Sequence, residues 1–574
     1  MRGVAVADTP LSLLRAIDRL KAVYGEDASA LKRVLLRALD RQTLPRAADV
    51  LRLHEILCWL RAYPDDAAVL ARVERMLRSF QRRADLRRHA AELADSGVAG
   101  AEIRFRFFQP TASDLSGRFP RQLRIDWKGF KNQDLLERLL PLLSLYAETP
   151  ALDEYALTPS EWIDRMKGRR ETDAHWLVRR FDALRVDPFV REKLYDELDA
   201  PLVLSPGPGT PSRTTAKDDS GRGRRRGPAP VFYQTGPLSR ARPDLPDEIF
   251  RPPLDVRSVP QRRARALIAL AREAMVTRAR DLDVFCWASP DDVRLVDCGR
   301  GLQFACIGVI PERRLMLEAV YGLLTLKNGV PIGYVLMSAL FGSSEIAYNV
   351  FETYRGAEAG AVYGRVLATA RALFGVDAFT IYPYQLGHGN PEAIRSGAWW
   401  FYRKLGFVPR DAQTVRLMRR EIARMKTDPG HLSSPATLEK LASQNLFYQT
   451  GRPRKDVIGV LSLADVGLRV TKRLAERFGS DRERAAKECS REAARILGVR
   501  SFEGFTRGER LAWERWAPLV TILPGLERWP WGARRALVDV IRAKGGRRES
   551  DFVLLFDRHG PLRRAVAALA READ

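Results

Sequence analysis

The chain has 574 residues, of which 45% are hydrophobic and 11 are tryptophan. This length exceeds an ordinary single domain, and the apolar content is sufficient for several buried cores, which excludes a wholly disordered protein. The formal net charge is +25, but arginine dominates the basic residues and they are spread along the chain. Charge by itself is therefore a weak indication of nucleic-acid binding.

The five cysteines are odd in number and form no Cys-x-x-Cys pair. This pattern indicates neither a disulfide framework nor a zinc site, and we predict no bound metal. No stretch reaches the roughly 18 apolar residues that span a bilayer. The N-terminus lacks the sustained apolar segment of a signal peptide. We therefore expect a cytoplasmic protein without a membrane partner.

Helical spacing of apolar residues dominates the first part of the chain, as in Leu11, Leu14 and Ile17. An exception is a short apolar alternation around Phe105, which predicts a strand. We predict a mostly helical N-terminal domain over residues 1–204.

Residues 205–253 interrupt this pattern with many Pro, Gly and Ser residues and with an arginine run at 221–227. Such a composition buries too little apolar surface to offset the entropy of the chain, so we predict a disordered linker. Its arginine run could bind an acidic or nucleic-acid partner, although a solvated tether is the simpler interpretation.

The pentapeptide Phe-Tyr-Gln-Thr-Gly occurs twice, at 232–236 and at 447–451. Two identical runs of this composition are improbable by chance, although no longer duplication surrounds them. They could be two copies of a peptide that docks on the same surface, or a coincidence, and we assign no chemistry to them.

The central region, residues 254–412, alternates strand-like and helical patterns. Apolar runs at 323–326 and 332–336 flank Asn328 and Gly329, which predicts a hairpin because both turn residues can adopt positive φ. A third strand, a helix, a fourth strand and a closing helix then follow near 345–351, 359–373, 378–382 and 398–405.

The order β-β-β-α-β-α, the turn from Tyr354 to Gly360 and the closing spacing Ala-x-x-x-Tyr-x-x-x-Gly-Phe resemble the GNAT superfamily of N-acyltransferases. The resemblance implies an α+β fold with a central mixed sheet, and acetyl-CoA or another acyl-CoA as co-substrate for an amine acceptor. Glycine turns at helix N-termini can hold phosphate through backbone amides. The residues expected to bind the co-substrate are Arg355, Gly356, Ala357, Ala359 and Gly360.

The resemblance also implies catalytic roles. Tyr402 would protonate the departing thiolate, which suits a phenol with a pKa near 10; the alternative is an aromatic side chain that only packs in the core. An amine acceptor needs a base, and Glu352 is the first candidate and Glu345 the second, with an exposed strand-end carboxylate as the alternative for both. His388, in a glycine-containing turn, could act as a base or contact the substrate.

Residues 413–574 are predicted to form a mostly helical C-terminal extension with a strand-like run at 552–556.

The predicted function is direct transfer of an acyl group, most simply acetyl, from coenzyme A to an amine. Two alternatives stay open. The family's turn carries Gln/Arg-x-x-Gly-x-Gly/Ala and its last helix Asn-x-x-Ala-x-x-x-Tyr, whereas here Glu358 replaces the first glycine and Arg395 the asparagine. A non-catalytic scaffold or sensor would explain these departures. A donor such as aminoacyl-tRNA would give the positive charge a role.

Overall fold

The computed structural model describes residues 9–218, 231–239 and 241–571, and the structural statements below concern these residues. The chain divides into two compact units. Unit 1 comprises Met1–Leu238, Arg265–Trp287 and Lys327–Ile332, and unit 2 comprises Ser239–Ala264, Ala288–Leu326 and Gly333–Asp574. The domain boundaries predicted at 204, 253 and 412 therefore do not coincide with the boundaries of the units.

Unit 1 is mainly helical. Its helices begin at polar caps, as where Thr9 accepts a hydrogen bond from the amide of Ser12, and Asp66 accepts one from Val69. Its elements are α1 (Pro10–Leu20), α2 (Glu26–Asp40), α3 (Ala47–Ala62), α4 (Ala67–Ser79), α5 (Ala84–Arg88), β1 (Ile103–Phe105), α6 (Gln109–Arg118), β2 (Leu123–Ile125), α7 (Gln133–Leu143), α8 (Thr149–Glu154), α9 (Pro159–Met166), α10 (Asp173–Asp182), α11 (Pro188–Leu198) and β3 (Leu202–Leu204).

The three strands of unit 1 form a small antiparallel sheet in the order β1-β3-β2, and β1 confirms the strand predicted around Phe105. Buried side chains of the surrounding helices, among them Trp162, Phe181 and Tyr195, form one core with this sheet. The N-terminal region is therefore mostly helical, as predicted.

Much of the predicted linker makes definite contacts within unit 1. Ser212 and Thr214 are only 4% and 2% exposed. Arg61 donates hydrogen bonds to the carbonyl oxygens of Arg213 and Thr214 at 3.0 and 2.7 Å. The prediction of disorder is therefore wrong for residues 205–218, because hydrogen bonds to the helices supply the contacts that the composition lacks. It is also wrong for residues 245–250, which form a helix with Leu245 and Ile249 buried. The arginine run at 221–227 lies outside the described residues.

Unit 2 contains almost all of a nine-stranded mixed sheet, in the order β11-β12-β10-β9-β8-β7-β6-β5-β4. Within it β9 and β10 run parallel, whereas β8 and β9, and β10 and β12, run antiparallel. The strands are β4 (Asp255–Ser258), β5 (Ala288–Gly299), β6 (Leu302–Val309), β7 (Ala319–Lys327), β8 (Val330–Leu340), β9 (Ser343–Val350), β10 (Ala378–Ile381), β11 (Val408–Pro409) and β12 (Leu446–Gln449).

The predicted hairpin is confirmed. Strands β7 and β8 are neighbours in the sheet, and Asn328 and Gly329 between them have φ of 49° and 77°. Both residues lie in the left-handed region, which Asn and Gly tolerate better than other residues.

The helices from α12 onward belong to unit 2 and to the segment Arg265–Trp287 of unit 1. No helix in the described part of the chain is long and apolar enough to cross a bilayer. The helices are α12 (Leu245–Phe250), α13 (Gln261–Val276), α14 (Asp283–Cys286), α15 (Ala359–Phe374), α16 (Pro383–Leu386), α17 (Pro391–Ser396), α18 (Ala398–Leu405), α19 (Ala412–Thr427), α20 (Pro435–Leu441), α21 (Leu463–Phe478), α22 (Arg482–Leu497), α23 (Arg507–Val520), α24 (Trp531–Gly545), α25 (Glu549–Arg558) and α26 (Gly560–Leu569).

Two predictions for the C-terminal extension need correction. The run at 552–556 is helical, because it lies in α25, where Phe552, Val553 and Phe556 are buried. A short apolar run fits a buried helix as well as a strand, so its pattern could not decide. The extension also supplies β12 to the central sheet, so the sheet does not end at residue 412.

A buried hydrogen-bond network fixes the first turn of α25 to the sheet. Tyr321 on β7 donates to Asp292 on β5 at 2.5 Å and accepts from the amide of Ser550 at 2.8 Å. The same Asp292 carboxylate accepts from the amide of Glu549 at 3.0 Å. Side chains of the sheet thus satisfy helix amides that have no partner within the helix.

Tyr321→Phe should lower the free energy of unfolding by about 1–3 kcal/mol, because it leaves the buried amide of Ser550 without a partner. Urea unfolding followed by circular dichroism measures this change. Tyr363→Phe is the matched control, since Tyr363 is equally buried and its hydroxyl has no hydrogen-bond partner among the described residues. Equal losses in both variants would contradict the prediction.

Candidate functional site

The parallel pairing of β9 with β10 ends early. Ala378 pairs with Ser343, and the pairing stops where Thr380 lies opposite Glu345. Strand β9 continues to Val350 with β8 on one side and, among the described residues, no strand on the other. Backbone groups along this edge of β9 therefore have no strand partner among the described residues.

The open part of β9 has two different faces, because successive side chains of a strand alternate. Ile346 and Tyr348 share one face, where the ring of Tyr348 lies 5.3 Å from that of Tyr363 on α15. The opposite face of β8 and β9 is only partly buried over Leu336, Ser338, Glu345, Ala347 and Asn349.

Glu345 lies on the partly buried face, between Ser338 on β8 and Thr380 on β10. Burial raises the pKa of its carboxyl to about 7, and the nearby Glu318 carboxylate contributes to the rise. Near neutral pH such a group is divided between its two protonation states, and its ionised form can accept a proton.

Tyr402 on α18 is 3% exposed, and its ring packs 5.4 Å from Tyr363 and 5.9 Å from Phe407. Burial raises the pKa of Tyr402 above its usual range, and a hydrogen bond from the backbone of Tyr348 opposes that rise. The hydroxyl is therefore protonated at neutral pH and lies at the open edge of β9. This position fits a proton donor, and the packing equally fits a core aromatic residue.

The turn expected to bind coenzyme A precedes α15. Arg355 forms an ion pair with Glu392 at 2.5 Å, and both side chains are about half exposed. Gly356 has φ of 80°, and the space where a Cβ would lie is open. At Gly360 a Cβ would lie 3.1 Å from Cδ of Pro243, so this approach to the first turn of α15 is occupied.

The three residues between these glycines are less accessible. Ala357 and Glu358 are 7% and 8% exposed, and the carbonyl of Ala359 accepts a hydrogen bond from the hydroxyl of Tyr348 at 3.3 Å. Glu358 is the N-cap residue of α15, but its side chain does not cap the helix amides. A carboxylate here is favourable for the helix dipole and would repel a bound pyrophosphate.

Glu352 and His388 are separated from this arrangement. Glu352 is exposed in the 3₁₀ turn Glu352–Tyr354, beyond the end of β9. His388 has a 57% exposed side chain, with Nδ1 3.3 Å from the carboxylate of Glu439. None of the described contacts joins either residue to Tyr402 or Glu345. Of these two carboxylates, Glu345 lies where the β9–β10 pairing ends, whereas Glu352 lies beyond the end of β9.

The sequence analysis did not predict three residues of the site: Asn349, Tyr348 and Tyr363. Asn349 shares the face of Glu345, and its buried Oδ1 has no hydrogen-bond partner among the described residues. The alternation of side chains along β9 could have shown that Asn349 shares a face with Glu345 and that Tyr348 lies on the opposite face. No local signal could have shown the contact of Tyr363 with Tyr348 and Tyr402, because it depends on how α15 packs.

The two copies of Phe-Tyr-Gln-Thr-Gly have different structural roles. In the second copy, residues 447–449 belong to β12, between β10 and β11. In the first copy, which lies outside the strands, the amide of Phe232 donates to Asn328 and that of Gln234 to the carbonyl of Pro64. The hypothesis that both copies dock on one surface is therefore wrong.

Within the described ranges, no group of three or more His, Cys, Asp or Glu side chains could hold a metal ion. Comparison of the chain with family models, with curated proteins and with solved structures gives no match. The interpretation of the site therefore depends on its geometry and chemistry.

Glu345→Gln should change the pH dependence of stability. The raised pKa means that the neutral carboxyl stabilises the folded state fully below about pH 4.5 and that this contribution is lost as the pH rises through about 7. Glutamine cannot ionise and does not lose this contribution. The free energy of unfolding of Glu345→Gln relative to wild type should therefore increase by about 2–3 kcal/mol between pH 5 and pH 8. Urea unfolding at both pH values measures the difference.

Glu352→Gln is the control, since this exposed carboxylate lies on the same segment. Its stability relative to wild type should stay within about 0.5 kcal/mol at both pH values. Parallel pH curves for wild type and Glu345→Gln would show that Glu345 does not have the raised pKa.

Proposed function

We propose that this protein is an N-acyltransferase that moves an acyl group, most simply acetyl, from coenzyme A to an amine. The observation that supports this most directly is the end of the β9–β10 pairing beside Glu345, with the hydroxyl of Tyr402 at the open edge of β9. Glu345 and Tyr348 lie on opposite faces of the strand. In the proposed arrangement the acceptor amine would approach Glu345 on one face, and the thioester would lie at the open edge beside Tyr402.

In the proposed reaction the ionised Glu345 carboxylate accepts a proton from the amine, which then attacks the carbonyl carbon of the thioester. Backbone amides on the open edge of β9 would stabilise the negative charge that develops on the carbonyl oxygen. The carbon–sulfur bond breaks as the amide product forms, and Tyr402 donates its proton to the departing thiolate. The proton held by Glu345 returns to solvent, and Tyr402 is reprotonated.

A non-catalytic scaffold or sensor is the second candidate. Two observations favour it: the buried Glu358 at the start of α15, and Pro243 beside Gly360. Both features disfavour a pyrophosphate at the turn where the resemblance places coenzyme A. A transferase with another donor, such as aminoacyl-tRNA, would share the acid and the base and lack affinity for coenzyme A.

Calorimetric titration of acetyl-CoA tests the proposed donor. Wild-type protein should bind with micromolar affinity, and Arg355→Glu should weaken binding at least about ten-fold, because it replaces a cation that can contact the pyrophosphate with an anion. Arg420→Glu, an exposed position on α19, makes the same charge change elsewhere and should leave the affinity unchanged. Absence of binding at millimolar acetyl-CoA would exclude this donor and favour the scaffold or another donor.

Acyl transfer to a panel of amines tests the proposed base. With an accepted amine, kcat/KM should rise with pH through about 7, because Glu345 must be ionised to accept the proton. Glu345→Gln should lower kcat/KM by about a hundred-fold and remove this rise. Glu352→Gln should keep both the rate and the pH profile. An unchanged pH profile in Glu345→Gln would show that another group is the base.

A further inference from the structure

The helical C-terminal part of unit 2 contains a pocket of about 470 Å³ between the end of α22 and one face of α24. Trp531, Arg535 and Asp539 follow one another at intervals of four residues along α24 and line the pocket. At about 1.5 Å per residue, these side chains lie about 6 Å apart along one face of the helix. Arg500, just beyond α22, lines the other side.

The position of Trp531 is set by a glycine. Gly498 ends α22 with φ of 71°, and a Cβ on it would lie 2.1 Å from Cη2 of the Trp531 ring. The indole therefore packs directly on the backbone of Gly498. Trp531 is nevertheless 55% exposed, so much of this residue remains uncovered where it lines the pocket.

The two walls of the pocket are also fixed to each other. Arg534, on the first turn of α24, donates to the carbonyl oxygens of Trp529 and Glu527, both at 3.0 Å, and to that of Ile496 near the end of α22 at 3.5 Å. These hydrogen bonds hold the end of α22 beside the start of α24. The pocket is thus part of the folded structure rather than a gap between mobile segments.

The charges around the pocket are not all neutralised within the protein. Arg542 donates to Glu509 at 3.0 Å and lies over the ring of Phe505. By contrast, Arg500, Arg535 and Asp539 make no ion pair with any described residue. The pocket therefore combines two arginines without an ion pair among the described residues, a third arginine paired with Glu509, one carboxylate and an exposed indole.

We propose that this pocket binds a nucleotide, either free or as part of a single strand. The base would stack on Trp531, since aromatic platforms bind bases of any sequence. Arg500 and Arg535 would contact the phosphate through charge-assisted hydrogen bonds. The carboxylate of Asp539 is an acceptor for hydroxyl groups of the sugar. This site is separate from the proposed acyl-transfer site and does not depend on that function.

Titration of AMP and of a short single-stranded oligoadenylate into the full chain tests the proposal. Trp531→Leu should weaken the binding of both probes at least about five-fold, whereas Trp531→Phe should retain most of it. Arg535→Glu should weaken binding at least about ten-fold. Arg491→Glu is the control, because it makes the same charge change at an exposed position of α22 that does not line the pocket.

Comparable affinities for AMP and the oligoadenylate, with this variant pattern, would support a free nucleotide. Much tighter oligoadenylate binding with the same pattern would support a single strand. Absence of binding of either probe at millimolar concentration would overturn the proposal. An equal loss in Arg491→Glu, or no loss in Trp531→Leu, would also overturn it. Arg355→Glu should leave AMP binding unchanged, which separates this site from the turn before α15.

Discussion

The pairing of β9 with β10 stops at Glu345 and Thr380, and both chemical groups of the candidate site depend on that register. At the last paired position, Glu345 lies between two neighbouring strands, and burial there raises its pKa. Further along, no strand in the described part of the chain pairs with this edge of β9, and the backbone of Tyr348 donates a hydrogen bond to the hydroxyl of Tyr402. One register thus places a carboxyl and a phenol on opposite sides of one strand.

The C-terminal helices contribute to this arrangement through buried charges. Lys544 donates to the Glu549 carboxylate at 2.6 Å and to the backbone carbonyl of Glu318 at 2.9 Å. A buried pair of this kind persists only where further hydrogen bonds offset the cost of desolvation. The carboxylate of Glu318 contributes to the raised pKa of Glu345. The helical extension therefore fixes the backbone of the residue that helps to tune Glu345.

Electrostatics at the turn before α15 acts on a bound phosphate in two opposing ways. Glu358 adds a carboxylate at the helix N-terminus, where an anionic ligand would otherwise be favoured. Arg355 is available at little cost, because its ion pair with Glu392 is exposed and such pairs stabilise proteins weakly. Exchange of Glu392 for a phosphate would therefore be inexpensive, whereas burial of that phosphate beside Glu358 would not.

Local sequence determined the hairpin at Asn328 and Gly329, because φ preferences act within a few residues. The long helix α15 followed from the periodicity of its apolar residues for the same reason. Only the tertiary structure decided the insertion of β12 between β10 and β11, the helical state of residues 552–556 and the raised pKa of Glu345. Each of these depends on partners distant in the chain: β10 for β12, the buried surroundings of α25, and Glu318 together with the neighbouring strands for Glu345. A sequence pattern reports the preference of a segment, whereas burial and charge at a site are set by what packs against it.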